Sequence, residues 1–220
     1  MWKYNKSPGR QSGFTLVELA IVLVIIGLIL AAVLKGQEMI QNGKVKNVIN
    51  DLKGVTAAYY SYQDRYKAIP GDDAAAATHV TGGVAGGGDG LIAGLFNATA
   101  APAVGAESNN FWQHTRLSGF LTGDGTNPAN NAVGGVIGVQ SGIAAAEIYG
   151  MNGNTVCVSN IPWKIAQAVD ITLDDGNSNT GTVRAGAAGV TGTVTGLSGA
   201  YGTAAAPAAT DTLHTLCQKI

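Results

Sequence analysis

Charge is scarce in this chain. Only 12% of its residues are Asp, Glu, Lys or Arg, and the net charge is -1. Nucleic-acid binding ordinarily needs a basic face, and this balance gives no support for one. Cysteine is limited to Cys157 and Cys217. Neither belongs to a CxxC pair and no HExxH is present, so His214 near Cys217 lacks the further ligands of a zinc site. Histidine is equally sparse: His79, His114 and His214 are separated, with no G-x-S-x-G nucleophile motif nearby, and no catalytic set emerges. The run Gly82-Gly83 and Gly86-Gly87-Gly88 lacks the Lys-Ser/Thr of a phosphate loop and follows no clear strand, so it reads as a plain loop.

What the chain has instead is small residues and one long apolar run. Its 32 glycines, with many alanines, concentrate between Ala74 and Ala106 and between Gly181 and Ala209. Such regions predict long loops with weak packing on a modest core. They lack the high charge of disordered tails. The 220 residues fit one exported domain plus a membrane segment.

That segment is Phe14 to Leu34. A helix of this length is about 31 Å long, enough to cross a bilayer. Lys3, Lys6 and Arg10 precede it with no acid among them. Positive charge there holds the N-terminus in the cytoplasm and sends the rest outward. A secretory signal would have a shorter apolar core followed by a small-residue cleavage motif. Here the apolar run continues directly into a helical pattern, so it reads as retained. Export makes a Cys157–Cys217 disulfide the natural reading, with two buried free thiols as the alternative. The bridge would close a loop of roughly 60 residues, worth about 4 kcal/mol in the chain-entropy account.

Glu18 is the one ionisable group in the span. An acid at mid-membrane costs about 2.5–3.5 kcal/mol, less near the interface. No lysine or arginine lies between Phe14 and Leu34 to pair with it. Its partner must be external, a proton or a newly made α-amino group. Otherwise Glu18 snorkels to the headgroups from one turn inside the helix.

The residues Gly13-Phe14-Thr15-Leu16-Val17-Glu18 closely resemble the processing motif of type IV pilins and the pseudopilins of type II secretion. The short basic leader resembles theirs too, and the resemblance covers roughly residues 7–66. It implies that a prepilin peptidase cuts after Gly13 and methylates the new N-terminal Phe14. Glu18, fifth residue of the mature chain, would then pair with the N-terminus of a neighbouring subunit. Two buried charges are costly apart and tolerable together, so the pair would set axial register rather than add much stability. Gly27 falls where many relatives have a helix-loosening glycine. Lys35 followed by Gly36 stands where many have a proline; Gly36 alone weakens a helix by about 1 kcal/mol relative to alanine.

The implied fold is α+β: a long N-terminal helix packed on a C-terminal globular domain with a small antiparallel sheet. The expected parts are a leader (1–13, removed), a membrane and filament-core helix (14–34), its amphipathic continuation (35–69) and an exported Gly/Ala-rich domain (70–220). The implied role is a filament subunit, held in the inner membrane as a precursor with its N-terminus in the cytoplasm, then placed in a periplasmic or extracellular filament. Implied partners are copies of itself, other pilins, the prepilin peptidase and an inner-membrane assembly platform. The alternative is a membrane-anchored minor pilin acting as an adhesin or DNA-binding module, which an exposed basic or aromatic patch would favour. An anchored enzyme would need a cleft of convergent polar groups, and the sequence shows none.

Beyond Leu34, Val45, Val48, Leu52, Val55, Tyr59, Tyr62 and Tyr66 recur at spacings of three and four, one face of a helix. Pro70 and Gly71 end the pattern. The tyrosines read as packing against a sheet rather than as a stacking row. Ser108 to Leu121 predicts a helix capped by Ser108 or Asn109. Thr155 to Ser159 alternates like a strand. Asn160 to Leu173 predicts a helix with Asn160 as cap and Pro162 in its first turn. Thr182 to Arg184 reads as a further strand. The disulfide would tie the Cys157 strand to the C-terminus, similar to the cysteine-closed C-terminal loop of many pilins.

No cofactor is required by any of this. One acidic loop nevertheless has calcium-like ligands in Asp170, Asp174, Asp175 and Asn177, with Asn179 beside them. Some major pseudopilins bind calcium in a C-terminal loop. The spacing departs from D-x-[DN]-x-[DN]-G, and a helix end followed by an Asx-rich turn explains it equally well. Asp124, Asn127 and Asn130 form a weaker second candidate.

Overall fold

The computed structural model describes residues 13, 15–99, 101, 103, 105–142, 148–187, 201 and 213–220. Contacts divide the chain into two units, Met1–Asn42 and Gly43–Ile220. The helix α1 (Leu16–Tyr66) contributes to both.

In the first unit the described chain is helical from Leu16 onward and exposed along almost all of its length. Leu, Ile, Val and Ala are unbranched at Cβ or tolerated in helices, and no proline interrupts them.

In the second unit α1 buries Val45, Val48, Ile49, Leu52, Val55, Ala58, Tyr59 and Tyr62. This is the predicted stripe, with Tyr66 only half-buried at its end. Burying side chains such as Val48 and Leu52 contributes about 1.5–3 kcal/mol each. The helix stops where Lys67 takes a left-handed φ of 55°, and Pro70 bars its resumption. A short turn of helix follows, α2 (Ala76–His79).

Five antiparallel strands form one sheet: β1 (Ala129–Asn130), β2 (Val136–Gly142), β3 (Gly153–Pro162), β4 (Val183–Ala187) and β5 (Leu213–Lys219), in the order β1-β2-β3-β5-β4. Two more helices lie among the described residues, α3 (Glu107–Leu117) and α4 (Trp163–Leu173). Strand alternation sorts side chains between two cores. Val156, Val158, Leu216, Ile137 and Val139 join the α1 stripe, Phe111, Trp112 and the inner face of α4. The intervening Cys157 and Cys217 join Phe96, Ile148, Tyr149 and Met151 in a second cluster.

Strand β3 begins at Gly153 rather than Thr155 and β4 covers Val183–Ala187 rather than Thr182–Arg184, and three helix boundaries differ from the sequence reading. First, α3 begins at Glu107 without a side-chain cap. Its N-terminal polar side chains turn to the preceding and following loops instead: Asn109 Nδ2 donates to Ala98 O and Thr126 O, and Asn110 Nδ2 donates to Ala103 O. Second, α3 ends at Leu117 rather than Leu121. Gly119 takes a φ of 76°, with its N–H on Arg116 O and the Phe120 N–H on Thr115 O, a Schellman stop. Third, Asn160 is not a helix cap. Strand β3 runs on to Pro162, which pairs with Leu213, and a bulge between Val158 and Ile161 places Asn160 at a φ of 58°. Pro162 then sits at the N-cap position of α4 rather than in its first turn.

Candidate functional site

The start of α1 is closed by its own side chains. The Thr15 N–H donates to Glu18 Oε2 at 2.8 Å, and the Thr15 hydroxyl donates to the same oxygen at 2.9 Å. The Glu18 N–H in turn donates to Thr15 Oγ1 at 3.3 Å. This reciprocal arrangement is a capping box, written in the sequence as Thr-x-x-Glu. Glu18 is therefore bonded within its own chain, to donors the sequence reading did not consider. A backbone N–H that finds no partner in hydrocarbon costs several kcal/mol, and this carboxylate supplies one.

Beyond the cap, the large apolar side chains from Leu16 to Leu34 are 47–87% exposed. Among the described residues α1 is the one helix long and apolar enough to cross a membrane. A Cβ added at Gly27 or Gly36 would meet nothing within 4 Å. Their small size serves no packing within one copy. Gly13 is exposed; Phe14 and the leader lie outside the described residues.

Cys157 and Cys217 face each other across β3 and β5, with Cα atoms 4.0 Å apart, and form the disulfide. Both are buried. The bond ties the last strand to the middle of the sheet.

The acidic loop after α4 brings Asp170, Asp174 and Asp175 together, with carboxylate oxygens within 4.8 Å of one another. Asp170 is fully buried; its Oδ2 accepts from the Tyr201 hydroxyl at 2.8 Å, while its Oδ1 has no hydrogen-bond partner. Burial pushes the Asp170 carboxyl up, and the Asp175 and Asp174 charges add to that against the Tyr201 hydrogen bond. Asp174 Oδ2 accepts from the Thr182 and Val183 N–H groups. Asp175 accepts from the Thr180 hydroxyl and the Asn177 N–H, which hold its pKa below the usual carboxylate range. Asn177 Oδ1 accepts from the Asn179 N–H, so it closes an Asx turn. In the second candidate loop, Arg116 Nη1 donates to Gly125 O and Asn127 O.

The glycine run folds around carboxylates. Asp72 accepts from the Gly88, Asp89 and Gly90 N–H groups, and Glu107 from Gly87 and Ala93. A Cβ at Gly86 would lie 2.3 Å from Gly71 O, which explains why side chains are absent there. Of the tyrosines, Tyr59 meets the sheet as expected, accepting from Asn154 Nδ2 of β3; Tyr62 instead donates to Asp73 Oδ2 at 2.7 Å and stacks on His114, and Tyr66 stacks on His79, because α3 and the loop after α1 cover that end of the helix. His79 Nδ1 lies 2.6 Å from the same Asp73 oxygen. Burial raises the Asp73 pKa, but the His79, Tyr62 and Ala75 hydrogen bonds outweigh it and leave the group lowered. His114 is buried, accepting the Gly71 N–H at Nδ1 and donating from Nε2 to Val84 O. These contacts fix its neutral tautomer.

Comparison with curated proteins found no match, and neither did comparison with solved structures. Residues 8–34 match the family model of the prokaryotic N-terminal methylation motif. The exposed apolar helix, its capped glutamate and that match converge: the chain carries the N-terminal motif that is the hallmark of type IV pilins and pseudopilins.

Proposed function

We propose that this protein is a structural subunit of a type IV pilus-like or type II secretion filament. The observation that carries the reading is a helix whose apolar side chains from Leu16 to Leu34 find no cover within one copy. Membrane lipid covers them in the precursor, and neighbouring copies cover them in the filament. A prepilin peptidase cuts after Gly13 and methylates the Phe14 amine. The cut creates a positive charge four residues from Glu18. In the filament, the amine of a neighbouring copy competes with Thr15 for the Glu18 carboxylate, and buried charge favours the ion pair over the neutral donors. Thr15 keeps the carboxylate hydrogen-bonded until then. The globular domain faces the oxidising side of the membrane, where its disulfide persists.

The substitution Gly13→Asp tests this. It blocks the cut, so the precursor accumulates in the membrane fraction and sheared filaments vanish. Normal filaments from that variant contradict the reading.

A second assignment concerns the Asp170 loop. The buried, unpartnered Asp170 Oδ1 beside Asp174 and Asp175 favours a hard cation, and we assign Ca2+ to it. Calcium at about a hundred times its Kd raises stability by about 2.7 kcal/mol. Thermal melting with calcium against chelator measures this, and Asp170→Asn removes the difference. Identical curves for the unaltered protein dismiss the assignment.

A further inference from the structure

We propose that the outer face of α1 in the second unit is a docking surface for the acidic globular domain of a second copy, with Lys46 and Lys53 as its charged contacts. This rests on the filament reading above and names the surface through which copies meet outside the apolar helix.

Charge is divided unevenly along the chain. Between Lys35 and Lys67 there are six basic residues and three acidic ones. From Ala68 to Ile220 there are four basic residues and ten acidic ones. A net-positive stem is thus joined to a net-negative domain. Such complementarity favours contact between stem and domain of different copies and disfavours domain against domain.

The lysines are placed for that contact. Lys46, Asn50 and Lys53 recur at spacings of four and three, so they share one face of the helix, opposite the buried Val45, Val48, Leu52 and Val55. All three are exposed. Lys35 pairs with Glu38 and Lys67 with Asp64. Lys46 and Lys53 make no ion pair among the described residues.

Beside the stripe a recess of about 220 Å³ opens between Asn50, Gly54, Trp112, Arg116 and Asn130. That is room for one or two side chains. Trp112 Nε1 and Arg116 Nε are donors without acceptors. The Asp51 carboxylate at the rim already accepts the Ala132 N–H.

The domain offers a matching acid. Asp89 is the exposed member of a group with Asp72 and Glu107, their carboxylate oxygens within 4.8 Å of one another. Backbone N–H groups serve all three, Asp89 through Leu91 alone, and no basic side chain neutralises them among the described residues. A lysine ammonium of another copy supplies the missing charge. Each such pair is weak alone, yet it repeats at every subunit and fixes register.

Carbodiimide cross-linking of purified filaments tests the proposal, with mass spectrometry of the covalent dimers. The expected links join Lys46 or Lys53 to Asp89, and Asp89→Asn removes them. Charge reversal at Lys46→Glu and Lys53→Glu lowers filament yield about tenfold, leaves the cut after Gly13 and the disulfide unchanged, and is offset by adding Asp89→Lys. Dimers linked elsewhere with both lysines unmodified, or full yield from the reversed variant, overturn the docking surface. Lysine protection found only in the membrane-held precursor also overturns it, in favour of anionic headgroups. A protein that is never cut and never forms filaments counts against the subunit reading instead.

Discussion

In the proposed filament reading, the Glu18 carboxylate serves two states of the same chain. Within a single copy it closes the helix through Thr15; in the filament reading it gives up those neutral donors for an amine. The Thr-x-x-Glu spacing was legible in the sequence, but an acid in an apolar run draws attention to charge before capping. The histidines illustrate what the sequence does not carry. Nothing local marks His114 as buried, because its partners Gly71 and Val84 come from distant loops. Burial, outweighing the Val84 hydrogen bond, lowers its pKa, and burial does the same for His214. A folded-state pKa below the unfolded value of about 6.5 means that the unfolded chain binds the proton first. Stability is then full above about pH 6.5 and falls as pH drops below it, by at most about 1.4 kcal/mol per pH unit for each histidine. Asp73 acts in the same sense further down, below the ordinary Asp range. Urea unfolding between pH 8 and pH 5 measures the slope. His114→Gln keeps a donor and an acceptor at the site and flattens it; an unchanged slope in that variant contradicts the assignment.

Elements with a strong period were legible, and glycine-rich ones were not. The α1 stripe stood out because seven apolar positions kept helical spacing to Tyr66. Strand β2 did not, because Gly138 and Gly142 break its alternation. Those glycines answer to tertiary contacts: a Cβ at Gly138 would lie 1.8 Å from Phe96 O. Strand β3 was found but cut short, since its bulge at Asn160 resembles a helix cap in sequence. The cross-strand disulfide is the strongest single tie among these elements. It closes a separation of 60 residues and fastens β5 to β3. Replacing both cysteines by alanine costs about 4 kcal/mol. Denaturant midpoints of the globular region, measured against the oxidised parent, give that value. A loss below about 1 kcal/mol would mean that the unfolded chain is already compact.

At the scale of the whole molecule, the two ends have opposite characters. The N-terminal segment is apolar and uncovered, and the C-terminal region carries a closed core on either side of its sheet. Sequence alone conveyed this division, because a long apolar run and a glycine-rich region differ in composition. The placement of the acids was hidden, since the Asp72 and Glu107 contacts depend on loop paths that no local pattern encodes. The central claim is that this helix is an assembly element released by a cut after Gly13. Mass spectrometry of the N-terminus in sheared filaments tests it most directly. The account predicts an abundant band beginning at N-methylated Phe14. Assembled protein that still begins at Met1 would contradict it.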